Sequence, residues 1–89
     1  MELGPVGQKL TEKLSAALVP DQLEVIDESH LHAGHSGARE DGESHFRVKI
    51  VSSAFEGKSL VQRHRMVNEV LAEELKERVH ALAISAKAP

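Results

Sequence analysis

From His45 to Ser52 apolar and polar residues alternate: Phe46, Val48 and Ile50 fall to one side, Arg47 and Lys49 to the other. A period of two marks a strand in a sheet with one buried face. Downstream the period changes. Leu60, His64, Val67, Leu71 and Leu75 share one stripe, with Val70 beside it, which predicts a helix from about Leu60 to Glu77. Ser59 followed three residues later by Gln62 is a capping-box pair and sets the start of that helix. Between strand and helix, Ala54 to Lys58 reads as a turn or short 3₁₀ segment containing Gly57. Near the N-terminus, Val6, Leu10, Leu14, Ala17 and Leu18 follow Pro5 at helical spacing, and Pro20 closes that helix. Leu23 to Asp27 and Val79 to Ala86 complete the set as short strands.

Between Ser29 and Ser44 the pattern stops. That stretch holds three Gly, three Ser and one large aliphatic residue, so it predicts a long mobile loop, 29–44, joining two antiparallel strands. The resulting order is α-β-β-α-β. It predicts an α+β fold in one domain, residues 1–89: a three-stranded mixed sheet with helices on one face. The crossover through the long helix should be right-handed and make its two strands parallel.

Composition narrows the function. The 89 residues allow one modest core, and with two Phe, no Trp and no Tyr that core must be aliphatic. A net charge of −3 argues mildly against a dedicated nucleic-acid binder. No apolar run is long enough to cross a bilayer and the first residues lack a leader pattern, so a cytoplasmic protein is expected. The absence of cysteine excludes disulfides, a thiol nucleophile and any self-contained thiolate metal site.

Six histidines carry the remaining chemistry. His30, His32 and His35 form a His-x-His-x-x-His tract that can bind metal, although a solvated loop also carries such residues without purpose. His45 begins a strand and reads as a surface residue. His80 shares the parity of Leu82 and Ile84 and reads as a core-margin residue. His64 lies on the apolar helix stripe, where a backbone carbonyl would satisfy it, and Arg63 and Arg65 flank it toward solvent. With Lys58 these arginines offer a partner- or nucleic-acid-docking element, which outward Arg47 and Lys49 would extend. Gly57-Lys58-Ser59 lacks the earlier glycine of a phosphate loop. No catalytic grouping is legible, so an enzyme is not expected. A DNA-binding regulator and a small hydrolase with a His-bound zinc stand as rival readings.

The words of the chain are also familiar. His45-Phe46-x-Val48-x-x-Val51-Ser52, followed by Phe55-x-Gly57-x-Ser59-Leu60-x-x-Arg63-His64-Arg65-x-Val67, resembles the BolA family. Asp27-Glu28-Ser29 and Val79-His80-Ala81-Leu82-Ala83 sit where that family has similar words, so the resemblance runs from about Leu10 to Ala86. It implies a class II KH-like fold, with Phe55-Glu56-Gly57-Lys58 replacing the KH G-x-x-G clamp and leaving poor prospects for RNA. It further implies a non-enzymatic adaptor that pairs with a monothiol glutaredoxin and shares a 2Fe–2S cluster, in cluster trafficking or iron sensing. Family ligands map onto His32 and His80, with His30 and His35 as alternative loop ligands. The partner's cysteine and glutathione would complete the ligand set. BolA proteins are also described as transcription regulators, in stress responses among others, which keeps DNA as an alternative partner through Lys58, Arg63 and Arg65. Neither a membrane nor a small-molecule substrate is expected.

Overall fold

A computed structural model describes residues 3–29 and 43–89. Helix α1 (Pro5–Leu18) leads into strand β1 (Gln22–Asp27). Strand β2 (His45–Val51) is followed by a 3₁₀ turn at Ser53–Phe55, helix α2 (Leu60–Val70), helix α3 (Ala72–Glu77) and strand β3 (Ala81–Lys87). The sheet order is β1-β2-β3, with β1 antiparallel and β3 parallel to the central β2. This is the expected α+β architecture with a mixed sheet.

Register shows why one face is buried. Val25, Val48 and Ile84 align across the sheet, as do Leu23, Ile50 and Ala86. These residues meet Leu10, Leu14 and Leu18 of α1 and Val67 of α2 in a single core, to which Leu71, Phe46 and Phe55 also belong. Each such buried side chain contributes about 1.5–3 kcal/mol by leaving water. On the opposite face Arg47 and Lys49 are exposed and pair with Glu28 at 2.9 Å and Glu24 at 3.7 Å.

Polar residues fasten the elements. The buried Ser52 hydroxyl donates to the Leu18 carbonyl (2.6 Å) at the end of α1 and accepts from the Ala54 N–H (3.1 Å). Gly57 takes φ +73° in the turn, a conformation that disfavours any Cβ. The capping box of α2 forms in full: the Gln62 N–H donates to Ser59 Oγ at 3.2 Å and the Ser59 N–H to Gln62 Oε1 at 2.8 Å.

Three expectations about side chains change. Leu60 and Val61 are 67% and 61% exposed, so the first turn of α2 leaves its apolar side chains in solvent. Ala17 is exposed, leaving Leu14 and Leu18 to pack the end of α1. The expected single helix is interrupted at Leu71 (φ −102°, ψ 16°), yet Leu75 N–H still reaches the Leu71 carbonyl at 3.0 Å. Among the described residues no helix is long and apolar enough to cross a membrane.

Lys13 of α1 joins α3 through Glu74 at 2.9 Å. Hydrogen bonding to Glu74 holds the Lys13 ammonium above its ordinary value of 10.5, against the opposing effect of burial. A lysine raised in the folded state stabilises fully below its unfolded value and loses that contribution as pH rises through the folded one. Lys13→Met should therefore be less stable than the parent by a constant margin between about pH 7 and pH 9, a margin that closes above about pH 10.5. Urea denaturation across this range measures it.

Candidate metal-ligand and docking site

One end of the sheet gathers the polar residues that the strands cannot bury. β1 ends at Asp27, whose carboxylate accepts the Ser29 N–H at 2.9 Å and the Glu43 N–H at 3.3 Å. These two residues flank segment 30–42, so a single carboxylate fastens the chain on either side of it. Ser29 is 6% exposed, and its hydroxyl accepts N–H groups from Ser44 at 2.9 Å and His45 at 3.2 Å. Glu43, at φ +56°, turns its carboxylate onto the Val6 N–H at the start of α1 (3.2 Å), a favourable place for negative charge. A Cβ at Gly4 would require that carboxylate to shift.

β3 enters the same end. The Ser44 carbonyl accepts both the His80 N–H (2.7 Å) and the Ala81 N–H (3.1 Å). Val79 beside it is buried in the core and its N–H is held by the Glu74 carbonyl at 2.7 Å. Buried on one side and pinned by its own N–H, the main chain turns the His80 side chain out to solvent. His80 is thus exposed, not a core-margin residue. Its parity with Leu82 and Ile84 does not operate, since β3 begins one residue later.

His45 corrects the sequence reading in the other direction. It shares the sheet face of Arg47 and Lys49 yet is only 6% exposed. Its Nδ1 lies 2.9 Å from Ser44 Oγ and its ring centroid 5.4 Å from that of His80, tilted by 53°. The strand pattern assigns it to the outward face. Only its position at the junction with the polar stretch hints at the cover that Ser29, Ser44 and His80 supply.

The remaining candidates separate. His30, His32 and His35 lie outside the described residues, as does all of the expected mobile loop except Ser29, Glu43 and Ser44. Among the described residues no group of three or more His, Asp or Glu is placed to hold a metal ion. His64 is half-buried on α2, as its stripe predicts, but no hydrogen bond to a carbonyl satisfies it among the described residues. Lys58 and Arg65 are exposed, whereas Arg63 is partly buried: its Nε donates to the Lys58 carbonyl at 3.0 Å and its Nη1 to the Ala86 carbonyl at 3.3 Å. Arg63 therefore ties α2 to β3 instead of standing free, and Arg47 and Lys49 pair with Glu28 and Glu24.

The BolA-like protein family model matches residues 14–89. The chain belongs to the BolA-like family. A putative bolA-like protein of Caenorhabditis elegans is 55% identical over 83 residues, covering 93% of this chain and 73% of that protein. SufE-like protein 1, chloroplastic/mitochondrial, of Arabidopsis thaliana is 52% identical over 91 residues and covers 98% of this chain, which spans only 24% of that relative. The solved structure of the BolA domain of SufE1 from Arabidopsis thaliana superposes with a TM-score of 0.89 at 51% identity, covering 99% of this chain and 96% of that domain.

Three substitutions separate scaffold from surface here. Ser29→Ala removes the acceptor of two buried N–H groups and should lower stability by about 1–3 kcal/mol. Arg63→Ala should cost about 1 kcal/mol through two lost hydrogen bonds to charged guanidinium, whereas Arg65→Ala should leave the melting temperature within experimental error. Thermal melts of the three variants test both statements.

Proposed function

We propose that this BolA-like chain is a non-enzymatic adaptor that pairs with a monothiol glutaredoxin and shares with it a 2Fe–2S cluster, in iron–sulfur cluster trafficking or iron sensing. The observation carrying this reading is His80: a solvent-facing imidazole on a main chain held by the Ser44 carbonyl, in a protein with no cysteine. The donor chemistry fits. Such clusters are held by thiolates, with imidazole in place of some of them in Rieske centres. This chain supplies imidazole only, from His80 and a loop histidine, His32 or in its place His30 or His35. The glutaredoxin cysteine and glutathione supply sulfur. Exchange of thiolate for neutral imidazole removes negative charge, which raises the potential of the bound cluster.

The role of the chain's own residues is positional. Ser44 fixes the main chain beneath His80, and Asp27 fixes the chain on both sides of segment 30–42. The observed order, α-β-β-α-α-β with the expected long helix broken at Leu71, supports a class II KH-like description. A glutathione-containing compartment suits this chemistry, the cytoplasm in our reading. DNA binding through Lys58, Arg63 and Arg65 is the weaker reading, since Arg63 is committed to two carbonyls and the chain carries net charge −3.

Alone the protein should purify colourless, and with a monothiol glutaredoxin, glutathione and an iron and sulfide source it should form a coloured heterodimer. His80→Ala should change visible absorption and circular dichroism strongly, and His32→Ala should act more weakly because His30 and His35 lie close in sequence. Acid should bleach the complex, since protonated imidazole does not bind metal. An unchanged spectrum for the His80 variant would refute a shared cluster and leave a purely protein–protein contact.

A further inference from the structure

Among the described residues, Leu60 and Val61 are large apolar side chains left 67% and 61% exposed side by side, in the first turn of α2. The main chain beneath them is fixed. The Lys58 N–H donates to the Phe55 carbonyl at 3.1 Å, the Lys58 carbonyl accepts Arg63 Nε at 3.0 Å, and the capping box closes between Ser59 and Gln62. The apolar pair thus stands on a preformed surface, which loses little conformational freedom when something covers it.

Charge selects the occupant. Residues 57–68 hold Lys58, Arg63 and Arg65 and no Asp or Glu, in a chain of net charge −3. Lys58 and Arg65 are exposed, and Arg65 follows Val61 by one helical turn, so cation and apolar side chain share a face. Two exposed cations fall short of the roughly four to eight Lys or Arg that mark an anionic lipid surface. Both Phe are buried and there is no Trp or Tyr, so nothing here stacks on nucleic-acid bases. A short protein segment matches what is present: carboxylates for Lys58 and Arg65, and a large apolar side chain over Leu60 and Val61.

We infer that Lys58, Leu60, Val61 and Arg65 form a docking surface for an acidic segment of a partner protein that carries large apolar residues. Arg63 Nη1 places this turn beside the Ala86 carbonyl, near the end of β3, whereas His80 precedes the start of that strand. At about 3.3 Å per residue, Ala86 lies about 16 Å along β3 from Ala81. An occupant here need not displace one at His80. The surface needs neither cluster nor glutaredoxin, so failure of either reading leaves the other standing.

Selection of a random-peptide display library on the full-length chain tests the inference, followed by amide NMR with the most enriched peptide made synthetically. Enriched sequences should combine Asp or Glu with Leu, Ile, Phe or Met. The peptide should shift amides of residues 58–65 and leave His80 and Ala81 unmoved. The double variant Leu60→Ser, Val61→Ser keeps the capping box and should bind about 10–30-fold more weakly, the loss typical of an interface hot spot. Arg65→Glu should weaken binding more at low salt than at high. His80→Ala should bind as the parent does. Enrichment without acidic residues, shifts that map elsewhere, or full affinity in the double variant would overturn the surface. Phosphatidylserine vesicles or duplex DNA bound through Arg65 with no acidic peptide enriched, or dimerisation abolished by the double variant, would overturn it in favour of a membrane, a nucleic acid or a second copy of the chain.

Discussion

One carbonyl, that of Ser44, accepts the N–H groups of both His80 and Ala81 and thereby joins the start of the central strand to the start of the edge strand. The parallel register of β2 and β3 begins from this tie, with His45 opposite Ala81 and each later pair following in step. Because side chains alternate, a slip of one residue would carry Leu82 and Ile84 out of the core and Ala81 and Ala83 into it. His80 lies between the buried Val79 and the start of β3, with its N–H on the Ser44 carbonyl and its side chain exposed.

The same sheet end shows polar side chains taking up backbone N–H groups beyond the strand ladder. Asp27 and Ser29 each accept two backbone N–H groups at the point where the strand ladder stops providing acceptors. Buried N–H groups without acceptors would each cost about 1–3 kcal/mol, a large share of the stability of a small domain. The Asp27-Glu28-Ser29 word thus has a structural reason independent of any metal. Glu28, its middle residue, faces the other way and pairs with Arg47.

Strand parity, the capping box at Ser59 and Gln62, and the order of the elements were legible because each rests on local periodicity or on residues adjacent in sequence. The break at Leu71 was not, since Val70-Leu71-Ala72 contains neither Gly nor Pro to mark it. Exposure of Leu60 was missed because periodicity says which residues share a stripe, and does not say which turns of that stripe are covered. His45 was misread for a related reason: parity assigns a face, and burial at a strand end is decided by neighbours distant in sequence, here Ser29 and His80. Arg63 likewise looked like free surface until its contact with the Ala86 carbonyl, 23 positions away, came into view. His80 was singled out through the family's words, and structure supplied the reason for its exposure.

The central claim is that this cysteine-free chain presents His80 as an imidazole donor to a cluster shared with its partner. Pulsed electron paramagnetic resonance on the reduced heterodimer, with nitrogen-15 histidine in this chain alone, tests it most directly. The expected result is nitrogen-15 hyperfine coupling from two directly bound imidazoles, one of which is lost in the His80→Ala complex. Absence of any such coupling from a cluster-loaded heterodimer would contradict it.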